Sequence, residues 1–337
     1  MIPLIPNKIF SSDKLYFYLQ EAEKTNQWAN WGWAVGELER RARDMLEIED
    51  SKAIIATCSG TTALHAIIHA LRRTAGKDLR VATQDFTFAT NSLGPAQGPI
   101  VCDMTPDLDI DLDDIHLQQH AEIVIATNCF GHLLDIETLI EKTEKRNKIL
   151  VLDNATVPYT FYKGKNSLNY GTASFLSLHT TKLIGFGEGG LVIIDKEYEE
   201  EVRRACNYGK VGEKFNERSG NYKMSELSAA GILQYWDHFD FTELRKRVVD
   251  NYFDLRYMLG DRDGAFWPNW GDDEEKFFPA WCPFLYDNPE ESIHDSLEGI
   301  SCKKYYMPLR GFPISNAIYE RIACYSLAKG FDECLKK

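Results

Sequence analysis

Along the first 240 residues, short apolar runs alternate with segments whose apolar positions recur every three or four places. The runs at 53–57, 80–83, 99–102, 122–127, 149–152 and 191–194, with the start of the stretch from Phe175, read as strands. Those at 122–127 and 149–152 are apolar throughout, as strands covered on both faces are. Ala63, Leu64, Ile67, Ile68 and Leu71 form one apolar stripe, which predicts a helix after the first run. Further helices are predicted over 36–49, 87–95, 135–145 and 197–207, and a long one through the 230s. Strands alternating with helices predict an α/β fold, a mostly parallel sheet flanked by helices. The acidic stretch 103–114 lacks the glycine and closing Glu of a calcium loop, so it reads as a turn into a helix.

From about residue 240 the pattern changes to helical segments, a Trp/Pro/Gly-rich stretch at 266–283 and short strands. Residues 1–238 are therefore expected to form an amino-terminal segment and a large domain, and 239–337 a smaller α+β domain. The acidic tetrad 272–275 reads as a solvated loop. Trp28, Trp31 and Trp33 read as packing the amino-terminal segment onto a core or a partner subunit, in preference to lining a cleft.

The chain has 337 residues, 44% of them hydrophobic, enough for an ample core. A net charge of -13 argues against non-specific nucleic-acid binding, which needs a basic surface. The eight cysteines are scattered without a Cys-x-x-Cys pair, and most sit among apolar neighbours, which favours free thiols in a reducing cytoplasm over disulfides or a metal cluster. The start of the chain lacks a signal-peptide pattern, and no apolar run reaches membrane-spanning length. A soluble, cytoplasmic protein is expected.

The chemistry converges on the stretch from Phe175 to Gly190. It places Lys182 among small and hydroxyl residues, with four glycines in the six positions that close it. A lysine desolvated in such a place loses its proton and becomes an amine nucleophile. Taken alone, the stretch would more simply be a surface lysine in a glycine-rich turn. The first strand is followed by Ser59-Gly60-Thr61 and then a helix, the layout of a phosphate cradle, where N–H groups at a helix start face an anion. Asp153 directly follows a strand, at the carboxyl edge where ligands of open α/β sheets bind. His65 and His69 lie four apart but off the apolar stripe, and a solvated face is expected in preference to a metal pair.

Several ordered motifs resemble one family, the DegT/DnrJ/EryC1/StrS sugar aminotransferases. They are Ser59-Gly-Thr-Thr-Ala-Leu64, Phe86-Thr-Phe88, Leu150-Val-Leu-Asp153 with Tyr162-Lys-Gly164, and Ser177-Leu-His-Thr-Thr-Lys182 followed by Gly187-Glu-Gly-Gly190. Asn207-Tyr-Gly209 and Asn221-Tyr-Lys-Met-Ser-Glu-Leu227 complete the set. The resemblance covers residues 36–240 and, more loosely, 313–331. It implies the type I fold of pyridoxal-phosphate enzymes, with residues 1–238 holding the cofactor.

By that resemblance Lys182 would carry pyridoxal 5'-phosphate as an imine and later shuttle the substrate proton. Asp153 would hold the ring nitrogen protonated, and Phe88 would stack on the ring. Gly60, Thr61 and Ser177 would bind the phosphate, with Asn207 reaching it from a second subunit, which implies a homodimer with shared active sites. Thr156 stands where the family usually has Gln or His near the phenolic oxygen, and Lys223 replaces a usual Arg. The chain is also shorter than typical members. The function implied is transfer of an amino group, expected from L-glutamate, to a nucleotide-linked keto-deoxysugar at C4 or C3, toward amino sugars and surface glycans. A ketocyclitol or other small keto substrate is one alternative. A catalytically silent cofactor-binding or sensory paralogue is the other, and the histidine found at the lysine position in related sugar dehydratases is absent here.

Overall fold

A computed structural model of the protein describes the chain except residues 1, 2, 4–6, 106–108, 132–134, 217, 261, 267–277, 295, 296, 298, 331–333 and 335–337. The acidic tetrad 272–275 and most of the Trp/Pro/Gly-rich stretch thus lie outside the described residues.

Thirteen strands are described. They are β1 (Lys52–Thr57), β2 (Val81–Gln84), β3 (Ile100–Cys102), β4 (Ile123–Thr127), β5 (Ile149–Asp153), β6 (Phe161–Tyr162), β7 (Lys165–Asn166), β8 (Ala173–Ser177), β9 (Gly190–Asp195), β10 (Gly264–Phe266), β11 (Cys282–Tyr286), β12 (Cys302–Lys303) and β13 (Ile322–Tyr325). The helices are α1 (Ser12–Thr25), α2 (Trp33–Met45), α3 (Gly60–Ala75), α4 (Ile115–His120), α5 (Ile136–Lys145), α6 (Glu199–Cys206), α7 (Glu226–Trp236), α8 (Phe241–Leu259), α9 (Glu291–His294) and α10 (Pro313–Arg321).

Seven strands form the main sheet in the order β1-β9-β8-β5-β4-β2-β3. The pairings from β8 through β5, β4, β2 and β3 are parallel, and β9 runs against both β8 and β1. This is the expected α/β architecture with one reversed strand. The register sets Thr127 beside Asp153, Asp153 beside Phe175, and Gly190 beside both Ser177 and Thr57. The chemistry-bearing motifs therefore end at one edge of the sheet. A second sheet, β10-β11-β13-β12, is antiparallel throughout.

The stripe predicted on α3 is buried in full, packed with Ile55, Phe175, Val192 and Ile194 on one face of the sheet. On the other face, α2 and α7 pack against Ile54, Leu176 and Ile193. The carboxylate of Glu226, at the start of α7, accepts from Ala34 N at 2.7 Å and so caps α2. Two aspartates tie the start of α10 to the main sheet. Asp85, just past β2, accepts from the N–H groups of Arg310, Gly311 and Phe312 at 2.6, 3.1 and 2.7 Å. Asp103, just past β3, accepts from Ile314 N at 3.0 Å and from Ser315 N and Oγ at 3.2 and 2.9 Å. Orphan donors at the start of α10 are thereby satisfied from the edge of the main sheet.

Two expectations are corrected. Residues 87–95 form two short 3-10 turns, Ala89–Ser92 and Gly94–Ala96, in place of one helix. Leu93 is extended and Gly94 takes a φ of +54° ahead of Pro95, so the chain cannot continue as a helix. His65 and His69 are only partly solvated: both rings are half-buried beside Tyr222. Of the three tryptophans, Trp31 packs against the core clusters and Trp33 stacks on buried Tyr18 at 6.2 Å, while Trp28 and Trp33 are 42% and 45% exposed.

Candidate active site

Asp153 is the last residue of β5 and is buried. One carboxylate oxygen accepts from Asn91 Nδ2 at 3.1 Å and Thr127 Oγ1 at 3.4 Å, the other from Ala155 N at 3.1 Å. Burial raises its pKa above the ordinary carboxyl value, while these hydrogen bonds and the charge of Lys182 pull it back.

Lys182 lies in the loop between β8 and β9. The loop closes on itself: Leu178 N donates to Gly189 O, Thr180 N to Gly187 O, and Phe186 N to Leu178 O, at 2.8, 2.8 and 3.1 Å. A Cβ on Gly185 would collide with the carbonyl oxygens of Leu178 and His179, so only glycine permits this closure. Burial lowers the pKa of the Lys182 amine, and Asp153 opposes the shift. The free amine that a nucleophile needs is thus favoured.

The cradle predicted after β1 is present. Ser59 caps α3 by accepting from Thr62 N at 3.2 Å, and Thr62 Oγ1 accepts from Ser59 N at 3.0 Å in return. Gly60 and Thr61 then occupy the first turn, whose N–H groups no carbonyl of the helix can reach. A Cβ on Gly60 would stand 2.9 Å from Ser177 Cβ, so the cup between α3 and β8 admits backbone only.

One cavity of about 380 Å³ collects these groups. Gly60, Thr61, Phe88, Asp153, Thr156, Ser177 and Lys182 all line it. Asn207 does not. It ends α6 and accepts from Lys223 Nζ at 2.7 Å, outside the cavity wall. The cavity also takes residues that sequence reasoning missed: His179 and Glu188 from the lysine loop, and Trp281, Lys303, Tyr305 and Tyr306 from the region of the second sheet. The hydroxyl of Tyr306 meets that of Thr156. Lys303 and Tyr305 lie together, the amine 5.1 Å from the ring centre, and Trp281 packs against Tyr305 at 5.4 Å. Their residue types carried a signal, one cation among aromatics, but nothing in the sequence placed them near Asp153.

These residues fit pyridoxal phosphate. The cup suits a phosphate, Phe88 (58% exposed) offers an aromatic face, and a buried carboxylate and a desolvated amine meet in the same cavity. Fold and site define a pyridoxal-phosphate-dependent aminotransferase. The sequence pattern of the DegT/DnrJ/EryC1/StrS aminotransferase family matches residues 12–316, and the protein belongs to that family.

Among curated proteins, it is 25% identical over 254 residues to the GDP-perosamine synthase of Caulobacter vibrioides, covering 73% of this chain and 68% of that one. It is 29% identical over 261 residues to the dTDP-4-amino-4,6-dideoxy-D-glucose transaminase of Shigella dysenteriae, covering 73% of this chain and 67% of that one. Among solved structures it resembles DesI, determined in the presence of its TDP-sugar product, with a TM-score of 0.79 and 22% identity over 99% of this chain and 90% of that one. Among the described residues no helix is long and apolar enough to cross a membrane.

Proposed function

We propose that the protein transfers an amino group from L-glutamate to a nucleotide-linked keto-deoxysugar, at C4 or C3. The observation that carries this reading is the convergence of Lys182, Asp153 and the Gly60–Thr61 cup on one cavity. The nucleotide-sugar aminotransferases among its relatives support the substrate class.

Bound pyridoxal phosphate supplies an electron sink through which an amino group leaves one carbon and joins another. The N–H groups of Gly60 and Thr61 and the Ser177 hydroxyl hold the phosphate, aided by the positive end of α3. Asp153 keeps a proton on the ring nitrogen, since an adjacent carboxylate favours the cation. Lys182 anchors the cofactor and then acts as the base that carries the substrate proton. Phe88 covers one face of the ring, and the Thr156 hydroxyl serves the phenolic oxygen. At the outer part of the cavity, exposed Lys303 beside Trp281 and Tyr305 offers a cation and two aromatic faces to a nucleoside diphosphate.

Asn207 stands outside the cavity of its own chain, so we assign it to the phosphate of a partner's site, which requires a homodimer. We further assign residues 1–238 to the cofactor-binding domain, 239–337 to the smaller one, and the protein to the cytoplasm. Incubation with 15N-labelled L-glutamate and dTDP- or GDP-linked 4-keto-6-deoxyhexoses tests the reaction. Label recovered in the sugar nucleotide supports it, and transfer only to ketocyclitols, or none, contradicts it.

A further inference from the structure

Three consecutive carbonyls, those of Lys182, Leu183 and Ile184, each accept a hydrogen bond from a side chain outside their loop. Lys8 Nζ donates to Lys182 O at 2.8 Å and to Leu183 O at 3.3 Å. The Tyr235 hydroxyl donates to Leu183 O at 3.1 Å, and Trp236 Nε1 to Ile184 O at 2.7 Å. Lys8 Nζ also donates to the Tyr235 hydroxyl oxygen at 3.2 Å, and it lies 4.5 Å from the centre of that ring. An ammonium has three N–H groups, and here each has an acceptor.

Lys8 belongs to the segment ahead of α1, 174 residues from the carbonyl it holds. The segment is fixed to α7: Ser11 N donates to Gln234 Oε1 at 2.9 Å, and Gln234 Nε2 to Ile9 O at 3.4 Å. Burial alone pulls the Lys8 amine down to about 7, and among the described residues no carboxylate pairs with it. Two carbonyl dipoles, a phenol oxygen and an aromatic face are what favour its charge. A lysine whose only task was to tie down a terminus would not need to leave water. Among the described residues the Lys182 carbonyl otherwise accepts only the turn-closing N–H of Gly185, at 3.1 Å.

We propose that Lys8 is a positioning residue for Lys182: by clamping the carbonyls of Lys182 and Leu183 it fixes the direction in which the Lys182 side chain leaves its loop. The inference rests on Lys182 being the reactive lysine, and the clamp itself can be read without any reaction.

The variant Lys8→Met keeps the packed stem and removes all three donors. In the full-length, cofactor-free protein, hydrogen exchange at Gly185 and Phe186 is expected to quicken while β8 and β9 stay protected. In the loaded enzyme kcat is expected to fall roughly 10-fold or more, with KM for the amino donor within about twofold. Lys8→Arg, which keeps the charge and donors, is expected to recover part of both losses; should Lys8→Met fail to fold, Lys8→Leu, which also lacks donors, carries the same test. Unchanged exchange at 185–186 together with unchanged kcat would overturn the proposal, as would faster exchange spread evenly through α1 and α7. If the wild-type protein shows no amino transfer, the assignment of Lys182 fails while the exchange result still decides the clamp.

Discussion

Asp153 and Lys182 border one cavity, and each favours the charged form of the other while burial pushes both toward neutrality. The balance makes the carboxylate dependent on a cation and leaves the amine free to react. Asp153→Asn keeps the shape and removes the charge. We expect this variant to bind pyridoxal phosphate and to lose kcat by on the order of 100-fold or more, read by steady-state kinetics beside the absorbance of the bound cofactor. An unchanged kcat would show that the charge on Asp153 is not used.

Lys182→Ala removes the proposed base. Single-turnover measurements with the amino donor should slow by roughly 100- to 10,000-fold, because a positioned proton carrier contributes about that much. The absorbance of the bound cofactor should shift even where affinity is retained through the phosphate cup.

Lys303→Met removes a cation from the outer part of the cavity without touching the cup. Its KM for the sugar nucleotide should rise about 10-fold, the scale of one charge-assisted contact, while cofactor affinity stays the same. A matching loss of cofactor affinity would contradict the assignment of Lys303 to the substrate.

His69 supplies a pH test of the fold. Burial lowers its pKa to about 4, and Arg72 and the other nearby cations add to the shift. Its folded value lies below the unfolded one, so the folded state holds the proton more weakly. The associated stability is present above about pH 6.5 and is lost as the pH falls toward 4. His69→Phe keeps a ring beside Tyr222 and should flatten this decline, measured as denaturant midpoints at pH 7 and pH 5.

Glu226→Ala should destabilise the protein by roughly 1–3 kcal/mol in denaturant unfolding, since the carboxylate satisfies N–H groups at the start of α2 that the fold buries.

How much of this was legible follows from how local each signal is. The stripe on α3, the buried strands and the residues at their carboxyl ends depend on periodicity and near neighbours, and they stand where the pattern put them. Gly60, Asp153 and Ser177 were readable because each sits at the end of a strand or the start of a helix, and the sheet brings such ends together, while Lys182 stood out by the glycine-rich loop that follows β8. Residues 87–95 misled because their spacing suits a helix while Gly94 and Pro95 forbid one. His65 and His69 misled because the strip of residues from Asn221 to Lys223 covers that side of α3, a tertiary contact with no trace in the helix itself. Trp281, Lys303 and Tyr305 reach the cavity only through the folding of a remote sheet, and Lys8 only through the docking of the amino-terminal segment on α7.

The central claim is that one amine carries the cofactor. Borohydride reduction of the protein loaded with pyridoxal phosphate, followed by peptide mass spectrometry, tests it most directly. A phosphopyridoxyl group on Lys182 alone is the predicted result, and modification of Lys8, Lys303 or another lysine in its place, or of none, would contradict it.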